Sequence, residues 1–244
     1  EHKIDWVVES SGKFTSRAGA QKHQAAGAQG VLISAPSEDA DITVIFAVND
    51  STYSNEKIVS LGSCTSNAVF PLLKVIDDAF HIQSGFISTV HTYTNTQTLL
   101  DIDSHGNDLR RSRAAALNII PSTTGAASIV GQVMPKLASK LEGSAYRVPV
   151  GKVSIADLTL TLNQAVTREQ INDCFLKASA GTASHFIGYT NEQLVSSDFS
   201  GDSRSVIFDS LLTQVVGSAV KIFGWYDNEW AYSQRLLDFL KMIS

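Results

Sequence analysis

The chain has 244 residues, 43% of them hydrophobic, enough for one large core or two smaller ones, which places it among globular proteins. A formal net charge of −5 leaves no broad basic surface and argues against nucleic acid as a main partner. Cys64 and Cys174 are the only cysteines, too few for a disulfide framework or an all-cysteine zinc site, so a reducing, cytoplasmic setting and no metal are expected.

Residues 4–9 read as a strand that starts without an initiator Met, so residues before Glu1 are expected to be missing. No signal-peptide pattern opens the chain, and no run approaches the roughly 20 apolar residues that span a bilayer, so no membrane association is expected. Ser10-Ser11-Gly12 is a turn, followed by a helix over 16–26 that Gly27 stops. The continuous apolar runs 30–34 and 42–48 are predicted as strands buried on both faces of a parallel sheet. A further apolar run, 57–61, breaks at Gly62, and helical spacing of Val69, Leu72, Leu73, Val75, Ile76 and Phe80 begins behind Cys64. Residues 86–90 form a strand ending in His91.

The stretch 92–122 is polar and irregular, with a turn at 104–108 and Arg110, Arg111 and Arg113 beyond it; loops of that length are usually functional or disordered. Thr123-Thr124-Gly125 then precede one predicted helix with Ile129, Val133, Met134, Leu137 and Leu141 on its apolar face. Residues 146–149 and the alternating run 153–162 follow, the second a one-sided antiparallel strand, so the sheet type changes here. Thr167 and Gln170 make a capping box for a helix to about Ala178, against whose core side Cys174 packs. Strands at 205–209 and 220–225 lead to a closing helix with Leu236, Leu237, Leu240 and Ile243 inward.

A thiol at a helix start meets free N–H groups and the positive end of the helix dipole, which favour the thiolate. That makes Cys64 the candidate nucleophile, and His91, at a strand end, its candidate base. Taken singly, Cys64 reads as a packed hydrophobe, His91 as a satisfied core histidine and each arginine as solvated charge. Together with Arg111, Arg147, Thr65, Thr94 and Thr124 they suit a phosphorylated substrate, because guanidinium and hydroxyl donors bind phosphate oxygens. Two chemistries fit these residues: a cysteine hydrolase, and a thiol-dependent aldehyde oxidation through a thioester.

Ser63-Cys64-Thr65-Ser66-Asn67, His91-Thr92-Tyr93-Thr94-Asn95, Leu109-Arg110-Arg111-Ser112-Arg113-Ala114-Ala115-Ala116, Asn118-Ile119-Ile120-Pro121, Thr124-Gly125-Ala126-Ala127, Arg147-Val148-Pro149 and Trp225-Tyr226-Asp227-Asn228-Glu229-Trp230 resemble the successive signatures of the phosphorylating glyceraldehyde-3-phosphate dehydrogenases. The likeness covers essentially the whole chain. It implies that Cys64 attacks the aldehyde of glyceraldehyde 3-phosphate, that His91 assists, that hydride passes to NAD, and that inorganic phosphate releases the Cys64 thioester as 1,3-bisphosphoglycerate, in glycolysis or gluconeogenesis. It maps the substrate-phosphate site to Thr94 and Arg147 and the inorganic-phosphate site to Ser63, Thr65, Thr124, Gly125 and Arg111. Asn228 matches the residue that orients the nicotinamide amide, with Tyr232 nearby, and Ser11, Gly12, Phe14, Ser34 and Ala35 match the outer cofactor wall.

The chain departs from the family pattern at Thr96, where many bacterial members have Asp, at Ala68 in place of a frequent second Cys, and at Ser128 in place of Lys. Tyr93-Thr94 favours the three-carbon substrate over that of the erythrose-4-phosphate dehydrogenases, which remain the alternative beside a non-catalytic fragment or binding module. The family's first strand, its Gly-x-Gly-x-x-Gly turn and the acidic residue that reads the ribose are expected to precede Glu1, so the choice of NAD over NADP stays open. The expected fold is α/β: a partial Rossmann-type nucleotide domain over 1–63 and an α+β catalytic domain with a mixed, largely antiparallel sheet over 64–228. A C-terminal helix, 229–244, would return to the nucleotide side, and a homotetramer is implied for the full-length protein.

Overall fold

The computed structural model describes residues 3–103 and 108–244; the core of the predicted 104–108 turn lies outside the described residues. The chain opens with β1 (Trp6–Glu9), α1 (Arg17–Ala25), β2 (Gly30–Ile33), β3 (Ile42–Thr43) and β4 (Ile58–Ser60). These strands form a four-stranded parallel sheet in the order β1-β2-β4-β3. All four residues of β2 are buried, which is why that stretch reads as an unbroken apolar run rather than an alternating one. Ser16 caps α1 by accepting from Gly19 N–H.

The predicted strand 42–48 is a correction: only Ile42 and Thr43 pair. Asn49 takes over the backbone, its Oδ1 accepting from Ile45 N–H at 2.7 Å and its Nδ2 donating to Thr43 O at 2.8 Å. Ala47 consequently turns left-handed at φ 61°. Val44, Ile45 and Phe46 stay buried, so hydrophobicity survived where pairing did not.

The rest of the chain supplies α2 (Cys64–Phe80), β5 (Ile82–Thr92), β6 (Ile120–Ser122), α3 (Gly125–Ser128), α4 (Val130–Val133), β7 (Leu141–Val148), β8 (Ser154–Leu162), α5 (Arg168–Ala180), β9 (Ile187–Thr190), β10 (Val206–Asp209), β11 (Gln214–Val216), β12 (Ala219–Tyr226) and α6 (Trp230–Met242). The second sheet runs β6-β7-β5-β8-β12-β10-β9, with β11 also on β12. Only β5 with β7 and β9 with β10 pair parallel, so this α/β protein has a mixed, largely antiparallel sheet. Helix α2 lies against its inner face. Val69, Phe70, Leu72, Leu73 and Ile76 are wholly buried there among Ile87, Leu158, Phe208 and Ile222, each contributing roughly 1.5–3 kcal/mol by burial.

The single helix predicted after Thr124 is the second correction. The segment breaks into α3, α4 and a 3-10 turn at Pro135–Leu137, and Leu141 opens β7. Pro135 has no N–H to continue α4 and keeps Met134 out of the helical region (φ −131°, ψ 77°). A third correction concerns α6, where Leu237 points outward at 47% exposure while Arg235 and Phe239 are fully buried. Phe239 packs edge-on against Trp6 and Tyr53, 5.6 and 5.2 Å between ring centroids, and so ties α6 to the four-stranded sheet. Among the described residues no helix is long and apolar enough to cross a membrane, and no group of three or more His, Cys, Asp and Glu could hold a metal ion.

Candidate active site

The turn between β4 and α2 is held from four directions. Gly62 sits at φ +60°, where a Cβ would lie 3.1 Å from Ile45 Cδ1 and Ser66 Cβ, so backbone freedom and lack of space both call for glycine. Asn67 Nδ2 donates to Leu61 O and Ser63 O at 2.7 and 2.9 Å. Ser63 Oγ accepts from Ser66 N–H at 3.1 Å and is the helix cap. Tyr232 OH donates to Gly62 O at 2.9 Å. Cys64 is thereby fixed as the first residue of a seventeen-residue helix.

His91 lies near the end of β5, and its Nε2 is 3.6 Å from Cys64 Sγ. The helix start and the strand end therefore meet as the sequence suggests. Parallel pairing sets Arg147 of β7 beside His91, with Arg147 NH1 2.7 Å from His91 Nδ1 and 3.0 Å from Thr92 O. The ring's Nδ1 is also 2.8 Å from Thr92 O.

Burial pushes the Cys64 thiol up, outweighing the Thr65 hydroxyl and N–H and the Arg147 charge that pull it down. The helix start acts in the direction read from sequence, but desolvation wins. Burial, then the neighbouring Arg147 charge, press His91 from 6.5 down to about 4. Both shifts act toward the uncharged forms, a thiol facing an imidazole across 3.6 Å.

Behind the pair is a buried hydroxyl junction that sequence reasoning missed. Tyr226 OH is 3.0 Å from Thr65 Oγ1 and 2.7 Å from Thr89 Oγ1, joining α2, β5 and β12. Its ring stands edge-on to His91, 6.0 Å between centroids, and burial raises its pKa so that it stays a neutral phenol. Alternation along β12 turns Tyr226 inward, and that period-2 pattern, extended one residue past Trp225, was the available signal. Thr65, mapped to the inorganic-phosphate site, is buried with its hydroxyl on Tyr226.

Thr124 caps α3 and Gly125 begins it. This segment abuts the Cys64 turn, since Ile129 Cδ1 would lie 3.2 Å from a Cβ on Gly62. Thr94 Oγ1 donates to Gln97 Oε1 at 3.2 Å and lies 3.0 Å from Thr96 Oγ1. Arg111 pairs with Asp108, Nε to Oδ2 at 3.1 Å, and its charge helps lower the pKa of Arg147 after burial, the larger cause. Arg147 Nε is buried with no hydrogen-bond partner among the described residues.

Ser11 and Gly12 follow β1 and Ser34 and Ala35 follow β2, adjacent parallel strands, so the residues expected to form the outer cofactor wall share the carboxyl-end side, where such sheets bind ligands. Ser34 Oγ donates to Glu9 O at 3.0 Å, and Ala35 O accepts from Ser60 Oγ at 2.7 Å. The Phe14 ring packs edge-on to His23 at 5.4 Å, within reach of Lys22. Asn228 is buried, with Oδ1 accepting from Ser154 Oγ at 3.4 Å, which leaves its Nδ2 donor for a carbonyl oxygen and fits a nicotinamide amide. Tyr232, read as lying near the nicotinamide, donates its hydroxyl to Gly62 O and so also supports the Cys64 turn.

Residues 63–228 match the family model described as the C-terminal domain of glyceraldehyde 3-phosphate dehydrogenase. The chain is 48% identical over 241 residues to glyceraldehyde-3-phosphate dehydrogenase 2 of Streptomyces avermitilis, covering 98% of this chain and 71% of that protein. It is 50% identical to the glyceraldehyde-3-phosphate dehydrogenase of Streptomyces coelicolor (96% and 70% covered) and 47% identical to that of Mycobacterium leprae (98% and 70%). A family model matched over residues 63–228 and identity near one half over almost the whole chain mean that the chain belongs to the glyceraldehyde-3-phosphate dehydrogenase family.

Proposed function

We propose that this chain oxidises glyceraldehyde 3-phosphate to 1,3-bisphosphoglycerate through a thioester on Cys64, with hydride transfer to NAD. The observation that carries the reading is the 3.6 Å approach of Cys64 Sγ to His91 Nε2, beside a guanidinium with a buried, unpartnered Nε. As Cys64 attacks the aldehyde carbon, its proton passes to His91 and the carbonyl electron pair moves to oxygen, which then takes the proton from Nε2. When bound, NAD supplies the acceptor for the hydride lost from that carbon. His91 receives the hydroxyl proton as the thioester carbonyl forms. Inorganic phosphate then attacks this carbonyl and gives up its hydroxyl proton to water, and Cys64 leaves as a thiolate that recovers its proton from His91.

Arg147 and Thr94 would hold the substrate phosphate, and Arg111, Ser63, Thr124 and Gly125 the attacking phosphate. Asn228 Nδ2 would orient the nicotinamide, with Ser11, Gly12, Phe14, Ser34 and Ala35 as the outer wall. The exposed apolar Phe86, Val90 and Tyr146 on the outer sheet face, with Leu99, Leu117 and Ile119, fit subunit contacts of a cytoplasmic homotetramer. The test is intact-mass and peptide mapping after mixing with glyceraldehyde 3-phosphate and NAD without phosphate. An acyl adduct on Cys64 that inorganic phosphate discharges is expected. An adduct on Cys174, or Cys64 alkylation unchanged by His91→Ala, overturns the assignment.

A further inference from the structure

We propose that Ser154 positions the cofactor through Asn228: its hydroxyl fixes which edge of the Asn228 carboxamide faces the nicotinamide, and the strained backbone of Val153 seats that hydroxyl. The role rests on the reading of Asn228 as the residue that orients the nicotinamide. Val153 is β-branched and lies at φ 64°, a region that favours glycine and that such residues occupy only where their surroundings hold them. Those surroundings are apolar and closed. Val153 is buried with Phe199 and Ile207 against Leu194 and Trp225, and the Phe199 and Trp225 rings stack 5.4 Å apart.

The bend acts on the next residue. The ladder between β5 and β8 ends with Val90 opposite Ile155. Thr92 N–H, which a continued antiparallel ladder would give to a backbone carbonyl, donates instead to Ser154 Oγ at 3.1 Å. With that lone pair taken, the buried hydroxyl keeps its own proton and donates it to Asn228 Oδ1 at 3.4 Å. The Asn228 backbone is fixed separately, since the neighbouring Asp227 carboxylate accepts from Gly201, Glu229 and Trp230 N–H at 2.9, 3.0 and 2.9 Å. What Ser154 adds is the sense of the amide, whose two edges are alike in shape and opposite in hydrogen bonding. Oδ1 held on Ser154 turns Nδ2 toward a carbonyl oxygen, whereas a flipped amide would set two acceptors against each other. At 3.4 Å the bond is weak, so its loss shifts the amide without unfolding the turn. Thr92 O also accepts from Arg147 NH1 at 3.0 Å, so one hydroxyl links the strand that carries His91 to the amide that faces the cofactor.

Proton–nitrogen correlation spectra of the ¹⁵N-labelled, unliganded chain test this without cofactor, with Asn228→Asp assigning the Asn228 side-chain NH2 pair. The unaltered chain should show one sharp pair and a Thr92 N–H that is slow to exchange. Ser154→Ala should broaden or shift that pair and speed Thr92 exchange by about tenfold, the scale of one hydrogen bond. An unchanged Asn228 pair in Ser154→Ala overturns the proposal. Calorimetric titration with NAD separates it from the reading beneath it. Asn228→Ala and Ser154→Ala should each weaken NAD by ~3- to 10-fold, and the double variant should bind no worse than Asn228→Ala, because Ser154 acts through that side chain. Losses that add, or no loss in Ser154→Ala, overturn the positioning role and leave Asn228 as a cofactor residue. NAD affinity untouched by Asn228→Ala overturns the cofactor reading itself. Should Ser154→Ala not fold, Ser154→Cys, with its weaker donor, takes its place in both measurements.

Discussion

The Cys64 and His91 pair sits between a seventeen-residue helix and an inner strand of the eight-stranded sheet, whereas Ser11, Gly12 and Ser34 sit on turns beyond the strands of the four-stranded one. The two regions are also held by different chemistry. Around Cys64 the supports are neutral: the hydroxyls of Tyr226, Thr65, Thr89 and Ser154, and Tyr232 on Gly62 O. Around Ser11 the support is ionic. Buried Glu9 accepts from the Ser11 hydroxyl, from Ser11 N–H at 2.8 Å and from His23 Nε2 at 2.8 Å. Burial would raise the Glu9 carboxyl, but these Ser11 and His23 hydrogen bonds together hold it below its usual value. A fixed charge is tolerated where a turn is only to be shaped. Beside a thiol and an imidazole that exchange a proton, each added charge would shift the exchange, and among the described residues Arg147 is the charge that acts on both.

The largest expected effect falls on the proton-exchanging region. Cys64→Ser should reduce thioester-dependent turnover by ~10⁴-fold or more, as losses of a covalent nucleophile do, while Cys174→Ser stays within a few-fold. Steady-state rates for the two variants check this, and comparable losses would erase the contrast between a reactive and a packed thiol.

Next is acid stability. The native pKa of His91, about 4, lies below its usual 6.5, so between those values the unfolded state binds more protons and stability rises with pH. Full stability is present above 6.5, and about 3 kcal/mol is lost as pH falls from there to about 4. Urea unfolding across this range should show the slope, and His91→Asn should flatten it. If the slope survives in His91→Asn, other groups carry it.

Third, Tyr226→Phe removes the hydroxyl that joins three elements and should cost about 1–3 kcal/mol, with the Cys64 alkylation rate altered as Thr65 is freed. Denaturant midpoints and alkylation kinetics together separate a support of the site from a mere core contact. The smallest effect belongs to the turn. Glu9→Gln keeps the shape but loses the charge-assisted bonds, and should cost ~1 kcal/mol and weaken NAD without changing Cys64 alkylation. A change in alkylation would mean that the two regions are coupled.

Local order made much of this legible in advance. Helix α2 announced itself through Val69, Leu72, Leu73 and Ile76, and the parallel strands through unbroken apolar runs, because periodicity records which face meets the core. The pairing of Cys64 with His91 followed from a helix start and a strand end, positions that chain geometry specifies. The misreadings share a cause. Residues 42–48 and the helix expected after Thr124 are apolar enough for their predicted elements, yet Asn49 captured one backbone and Pro135 broke the other. Leu237 fits a helical stripe but faces outward, because the partner surface of α6 is set by Trp6 and Tyr53, far away in sequence.

Sequence alone marked Cys64 and His91 as candidates and fixed the kind of element each stands on, since that depends on spacing within one segment, while their roles came with the family resemblance. Only the tertiary structure decided the electrostatics: that burial raises the Cys64 thiol and lowers the His91 imidazole, that Thr65 and Tyr232 spend their hydroxyls on the scaffold, and that Arg147 and Thr92 both approach one ring nitrogen. Burial and hydrogen-bond partners arise from strands and helices many residues apart, and no pattern within a segment encodes them.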